Sequence, residues 1–150
     1  MNRIILIAVI ALGLSSCKKE QADIMPFEPV IELLSIGPGT VVEFEQAVSL
    51  RFSYADGDGD LGRTDPDDHS LWVKDSRLDA PDGYHIIPLG PPDTEVPIQG
   101  ELVVELSPLF VIGNGAQEVM TYSFHIVDRA GNKSNELVSP PITILAQDTL

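Results

Sequence analysis

Proline limits this chain more than any other residue. All twelve prolines lie between positions 26 and 141, at Pro26, Pro29, Pro38, Pro66, Pro81, Pro88, Pro91, Pro92, Pro97, Pro108, Pro140 and Pro141. Inside a helix a proline removes a backbone donor, and its ring collides with the turn before it. Few windows between these positions could therefore carry a helix of ordinary length. The windows that are long enough alternate instead. Val48, Leu50, Phe52 and Tyr54 are interleaved with Ser49, Arg51 and Ser53, and Leu102, Val104 and Leu106 with Glu101, Val103 and Glu105; Met120, Tyr122, Phe124 and Ile126 share one phase. A period of two sets alternate side chains on one face of a strand. The chain is predicted to be all-β.

Strands are expected at 30–36, 48–54, 69–74, 84–87, 98–106, 118–128 and 137–145. Val41, Val42 and Phe44 either begin the second of these or form a short strand before it. Gly37-Pro38-Gly39, Asp79-Ala80-Pro81-Asp82-Gly83 and Gly113-Asn114-Gly115 are turn signals. The prolines from 88 to 97 mark a surface crossing, and Pro140-Pro141 implies an edge or a bulge. About seven strands at this spacing predict a two-sheet sandwich. Its core is expected to hold Leu50, Phe52, Leu102, Val104, Leu106, Tyr122, Phe124 and Ile126.

The run Tyr122-Ser-Phe124-His-Ile126-Val-Asp128-Arg-Ala-Gly131-Asn132-Lys-Ser134 resembles the penultimate strand and following turn of immunoglobulin-like and fibronectin type III-like domains. The resemblance implies an immunoglobulin-like sandwich over residues 29–146. Three alternating residues would fill the core, Asp128 would accept backbone N–H groups across the turn, and Gly131 would supply a positive φ. The paired cysteines and the tryptophan spacing of antibody domains are absent, so only the general sandwich is implied.

The N-terminus has a different character. Met1-Asn2-Arg3 precedes an apolar stretch over residues 4–14, the layout of a secretory signal peptide. At about 1.5 Å per residue that stretch covers roughly half of a hydrocarbon core, too little for a permanent membrane span. Leu14-Ser15-Ser16-Cys17 resembles the lipobox of bacterial lipoproteins. The resemblance implies cleavage before Cys17 and attachment of long acyl chains such as palmitate to it. At about 0.8 kcal/mol per buried methylene, two or three chains anchor a protein almost irreversibly. Cys17 is the only cysteine, so lipidation would also remove a lone thiol and no internal disulfide can form. The organisation expected is a removed signal peptide at 1–16, a lipidated cysteine and polar tether at 17–28, the sandwich at 29–146 and a tail at 147–150. The expected location is the cell membrane or outer membrane. Lys18-Lys19-Glu20 is similar to the charged export signals that follow the lipidated cysteine in Bacteroidetes-type bacteria, which would imply the cell surface.

Acids outnumber bases 23 to 9, for a formal charge of −14. Such a surface repels nucleic acid and favours cations or basic partners. The acids concentrate in Asp56-Gly-Asp58-Gly-Asp60-Leu61-Gly62-Arg63-Thr64-Asp65-Pro66-Asp67-Asp68. Alternating aspartates and glycines let a tight loop turn several carboxylates toward one point, as calcium requires with its six to eight oxygens at about 2.3–2.6 Å. Asp56, Asp58 and Asp60 match the first three ligand positions of an EF-hand loop. Asp65, Asp67 or Asp68 would complete the shell, with a carbonyl from Gly62. Leu61 stands where an EF-hand needs glycine and no helices flank the loop, so a calcium-stabilised sandwich loop is the metal reading. The alternative is a solvated, Asx-rich turn without metal.

His69, His85 and His125 fall on separate strands, with no two at metal-ligand spacing and none in a nucleophile-elbow context. A non-catalytic envelope or cell-surface lipoprotein with a structural or accessory role is therefore expected. The alternative is a surface binding or adhesion module for a glycan or protein ligand, with Trp72 and Tyr84 as contact residues. An enzyme is the least favoured class.

Overall fold

A computed structural model describes residues 25–91 and 93–147; the expected signal peptide, the lipobox-like segment and Cys17 lie outside them. The described residues are all-β. Ten strands run in the order β1 (Val30–Gly37), β2 (Thr40–Val42), β3 (Val48–Asp56), β4 (Leu71–Asp75), β5 (Asp82–Tyr84), β6 (Ile98–Leu106), β7 (Gln117–Met120), β8 (Tyr122–Ile126), β9 (Leu137–Val138) and β10 (Ile142–Leu145). No helix among them is long and apolar enough to cross a membrane.

The strands form three hydrogen-bonded sheets, ordered β1-β3-β6, β2-β10-β7 and β5-β4-β8-β9. This corrects the expectation of about seven strands in two sheets, and the reason is local. The segment expected as one strand at 118–128 breaks at Thr121. Its first half pairs with β10 and its second with β4. At the break, Thr121 donates its N–H to Ser76 Oγ at 3.1 Å and accepts the Ser76 N–H at 3.0 Å. The final strand divides in the same way at Pro140-Pro141: β9 pairs with β8, and β10 pairs with β2 in parallel and with β7. Prolines cannot donate to a ladder, so the change of sheet falls where the ladder would already be interrupted. Period two continues through the first break, with Met120 and Tyr122 both buried, and shifts by one residue at the second, where the inward row passes from Leu137 and Ser139 to Ile142 and Ile144.

The three sheets enclose one core. Leu50, Phe52, Leu106, Tyr122, Phe124 and Ile126 are buried as expected, while Leu102 and Val104 are partly buried against them. Phe52 of β3 and Phe124 of β8 meet across it, with ring centroids 6.0 Å apart and tilted by 51°. Two strands of different sheets thus face each other, and their inward rows run on past the aromatic pair. Along β3 the row is Val48, Leu50, Phe52, Tyr54, Asp56; along β8 and its continuation it is Tyr122, Phe124, Ile126, Asp128. Both rows end in a carboxylate at the same end of the core.

Candidate metal centre

Asp56, Asp58, Asp60 and Asp128 each present a carboxylate oxygen within 4.8 Å of the other three. Asp56 and Asp128 are fully buried, each 0% exposed, and Asp58 and Asp60 are partly exposed at the mouth. The loop that brings them together is packed against the core. Leu61 is wholly buried; its N–H donates to Asp56 Oδ2 at 3.1 Å, and its carbonyl accepts the Leu89 N–H at 3.0 Å. Gly59 has φ of 71°, and a Cβ there would collide with the Val96 carbonyl. Only glycine meets both conditions without strain. The alternating Asp-Gly pattern therefore reflects close packing of backbone on backbone, with the carboxylates left to point at one another.

Hydrogen bonds hold three of the aspartates, through one oxygen of Asp56, one of Asp60 and both of Asp128. Asp56 takes the Leu61 N–H, Asp60 Oδ2 takes the Ala130 N–H at 2.8 Å, and Asp128 takes the backbone and side-chain N–H groups of Asn132 at 2.7 and 2.8 Å. The Oδ1 atoms of Asp56, Asp58 and Asp60 are buried and have no hydrogen-bond partner. An unpartnered buried carboxylate oxygen is costly. Two unit charges about 4 Å apart repel by roughly 4 kcal/mol even at an effective dielectric of 20. Burial, then the neighbouring Asp58 carboxylate, then the charges of Asp60 and Asp128 push the Asp56 carboxyl up to about 7. Burial and Asp128 also raise Asp60, against the lowering effect of the Ala130 N–H. The nearby guanidiniums bond to other groups than the four clustered carboxylates, although the Arg129 charge partly offsets the rise at Asp60. Arg63 bonds the Asp128 carbonyl at 2.7 Å and the Asp68 carboxylate at 3.1 Å, and Arg129 bonds the Gly62 carbonyl at 3.1 Å. The cluster can be neutralised by protons or by a cation. Four carboxylates with no nitrogen or sulfur donor among them suit a hard metal ion.

The structure brings Asp56, Asp58 and Asp60 together and leaves Asp65, Asp67, Asp68 and the Gly62 carbonyl outside. Asp65 caps its own turn by accepting the Asp67 N–H at 3.0 Å, Asp68 pairs with Arg63, and the Gly62 carbonyl faces Arg129. The fourth carboxylate comes from Asp128, which sequence reading assigned to its own turn. That turn role is real, since Asp128 holds Asn132, and the cluster uses the same side chain. The signal for it lies in the phase: Asp128 follows Phe124 and Ile126 at period two, as Asp56 follows Phe52 and Tyr54.

Trp72 is partly buried with its ring edge-on to His69, centroids 5.9 Å apart, and Tyr84 is partly buried with its hydroxyl accepting the Ser107 N–H at 3.2 Å. His85 Nε2 lies 2.7 Å from the Arg63 carbonyl, and His125 stands opposite Trp72 on the neighbouring strand. Among the described residues the exposed phenylalanines are Phe27, Phe44 and Phe110, 65%, 64% and 42% exposed, and Phe44 and Phe110 stack at 5.8 Å with their planes 4° apart. The sequence places Phe44 in or before the second strand, whereas β2 ends at Val42, and it assigns neither Phe44 nor Phe110 a ligand contact.

Comparison with family models, with curated proteins and with solved structures returns no match.

Proposed function

We propose that this chain is a non-catalytic lipoprotein of the bacterial envelope, anchored through Cys17, whose immunoglobulin-like sandwich is stabilised by one calcium ion. The observation that carries the reading is the convergence of Asp56, Asp58 and Asp60 with Asp128, with three buried carboxylate oxygens left unpartnered. Calcium accepts irregular oxygen shells completed by water and carbonyls. Magnesium keeps its own waters and demands a tighter octahedron. The ion would tie the acidic loop to the turn after β8, fastening two sheets at one end of the core. Its role is structural, holding a rigid domain at the membrane surface.

The test is thermal melting of the full-length protein, purified in detergent, in calcium, in magnesium and in chelator, with calorimetry beside it. Calcium at a hundredfold excess over its Kd adds about 2.7 kcal/mol, and magnesium adds little. Equal melting in all three buffers with no heat of binding would refute the calcium site.

A second reading, a surface module that binds a protein ligand, is favoured by the exposed stack of Phe44 and Phe110. Phe44 sits at φ of 61°, a conformation unusual for a bulky residue. Such local strain is often kept for function. Capture of an envelope protein by the native chain and not by Phe44→Ser would support it.

A further inference from the structure

The chain enters the domain against the same loop that gathers the carboxylates. Pro26 accepts the Gly57 N–H at 2.9 Å, and Gly57 stands between two members of the cluster, Asp56 and Asp58. A Cβ at Gly57 would lie 2.5 Å from the Pro26 carbonyl oxygen and 2.6 Å from that of Met25. The φ of Gly57 lies outside the left-handed region, so what its missing side chain allows is this close approach. Next to it, Phe27 and Glu28 line a pocket of about 340 Å³ together with Asp58, Glu95 and Asn132, the residue that holds Asp128. Beyond this point the chain is secured independently. Pro29 is buried, and Ile31 exchanges two 2.9 Å bonds with the Asn135 side chain.

We infer that the cation site doubles as a clasp, with the bound metal fixing residues 25–28 to the domain and so setting how stiffly it stands on its lipid tether. The inference rests on the reading of the four aspartates as a calcium site. A cation shared by Asp56 and Asp58 holds the peptide between them in place, and the Gly57 N–H is the donor that grips Pro26. Without it the two carboxylates repel, the peptide shifts and the grip is lost. Release of four residues lengthens the tether by about 13 Å, at roughly 3.3 Å each, and turns a fixed junction into a pivot.

The experiment places a spin label at Phe27→Cys in the full-length lipidated protein in detergent; protein without that substitution serves as the labelling control. Calcium binding is followed by calorimetry and label mobility by paramagnetic resonance, each in calcium and in chelator. The expected result is a severalfold slowing of the label in calcium, with the midpoint of slowing at the calorimetric Kd. Gly57→Ala is expected to keep calcium binding while its label stays mobile at saturating calcium. Absence of a heat of binding in the otherwise native chain overturns the calcium site and the clasp together. Binding with equal mobility in both buffers overturns the clasp alone, as does a Gly57→Ala label that slows like the native one. Should Gly57→Ala fail to fold, the calcium and chelator comparison on the native loop still decides.

Discussion

Asp56 and Asp128 end the inward rows of two facing strands, and their carboxylate oxygens lie within 4.8 Å of each other with both side chains fully buried. The pair makes the cluster a link between distant parts of the chain. Asp128→Asn is therefore expected to weaken calcium binding at least tenfold, although it lies far in sequence from the acidic loop. Asp65→Asn and Asp67→Asn are expected to leave binding unchanged, since neither carboxylate belongs to the cluster. Calorimetry on the three variants checks this. Equal losses from all three would return the site to the loop alone.

The raised Asp56 carboxyl makes metal-free stability depend on pH. It is pushed up to about 7 in the folded protein from the ordinary 3.8. The native state therefore holds this proton more tightly than the unfolded chain does, and stability falls as pH rises from about 4 through 7. In chelator, the melting temperature is expected to be higher at pH 5 than at pH 7.5, with the difference reduced in Asp56→Asn. In calcium the bound carboxylate must be ionised, so apparent affinity is expected to fall as pH drops below 7. A melting temperature in chelator that rises with pH in the native chain by more than in Asp56→Asn would contradict this.

Much of the fold was legible because period-two alternation follows directly from the pleat. Leu50, Phe52 and Phe124 face inward as their phase requires, and β6 spans the residues its alternation marked. What alternation cannot carry is the partner of each strand. Met120 and Tyr122 share a phase, yet they pair in different sheets, because the bonds between Thr121 and Ser76 turn the chain without changing its inward face. The acidic loop was legible as a ligand source in Asp56, Asp58 and Asp60. Its solvated alternative overlooked Leu61, whose burial makes the loop part of the core. Asp128 was hidden for a different reason: one local task, holding Asn132, explained it fully until the opposing strand was in place.

The proposed lipid anchor depends on Cys17. Under the proposed lipid anchor, Cys17→Ala is expected to lower the share of the protein in the membrane fraction. Mass spectrometry of the native chain is expected to find an acylated N-terminal cysteine. Unchanged fractionation of Cys17→Ala, or an unmodified N-terminus elsewhere, would remove the lipoprotein reading.

Leu61→Ala separates the loop's two roles, packing and metal binding. The native side chain is wholly buried in the core, while its backbone N–H holds Asp56 and its carbonyl holds Leu89. Alanine keeps both backbone bonds and the four carboxylates. It removes three buried carbons and leaves a cavity, a change that costs about 2–5 kcal/mol. At roughly 4 °C of melting temperature per kcal/mol for a domain of this size, the loss is large. It is expected to be the same in calcium and in chelator, because calcium affinity depends on carboxylates the substitution leaves in place. Asp128→Asn is expected to behave differently, losing more stability in calcium than in chelator, where relief of one of four repelling charges offsets the acceptor lost to Asn132. Melting each variant in both buffers gives the comparison. A Leu61→Ala chain destabilised only in calcium would mean that the leucine serves the metal and that the loop is not part of the core.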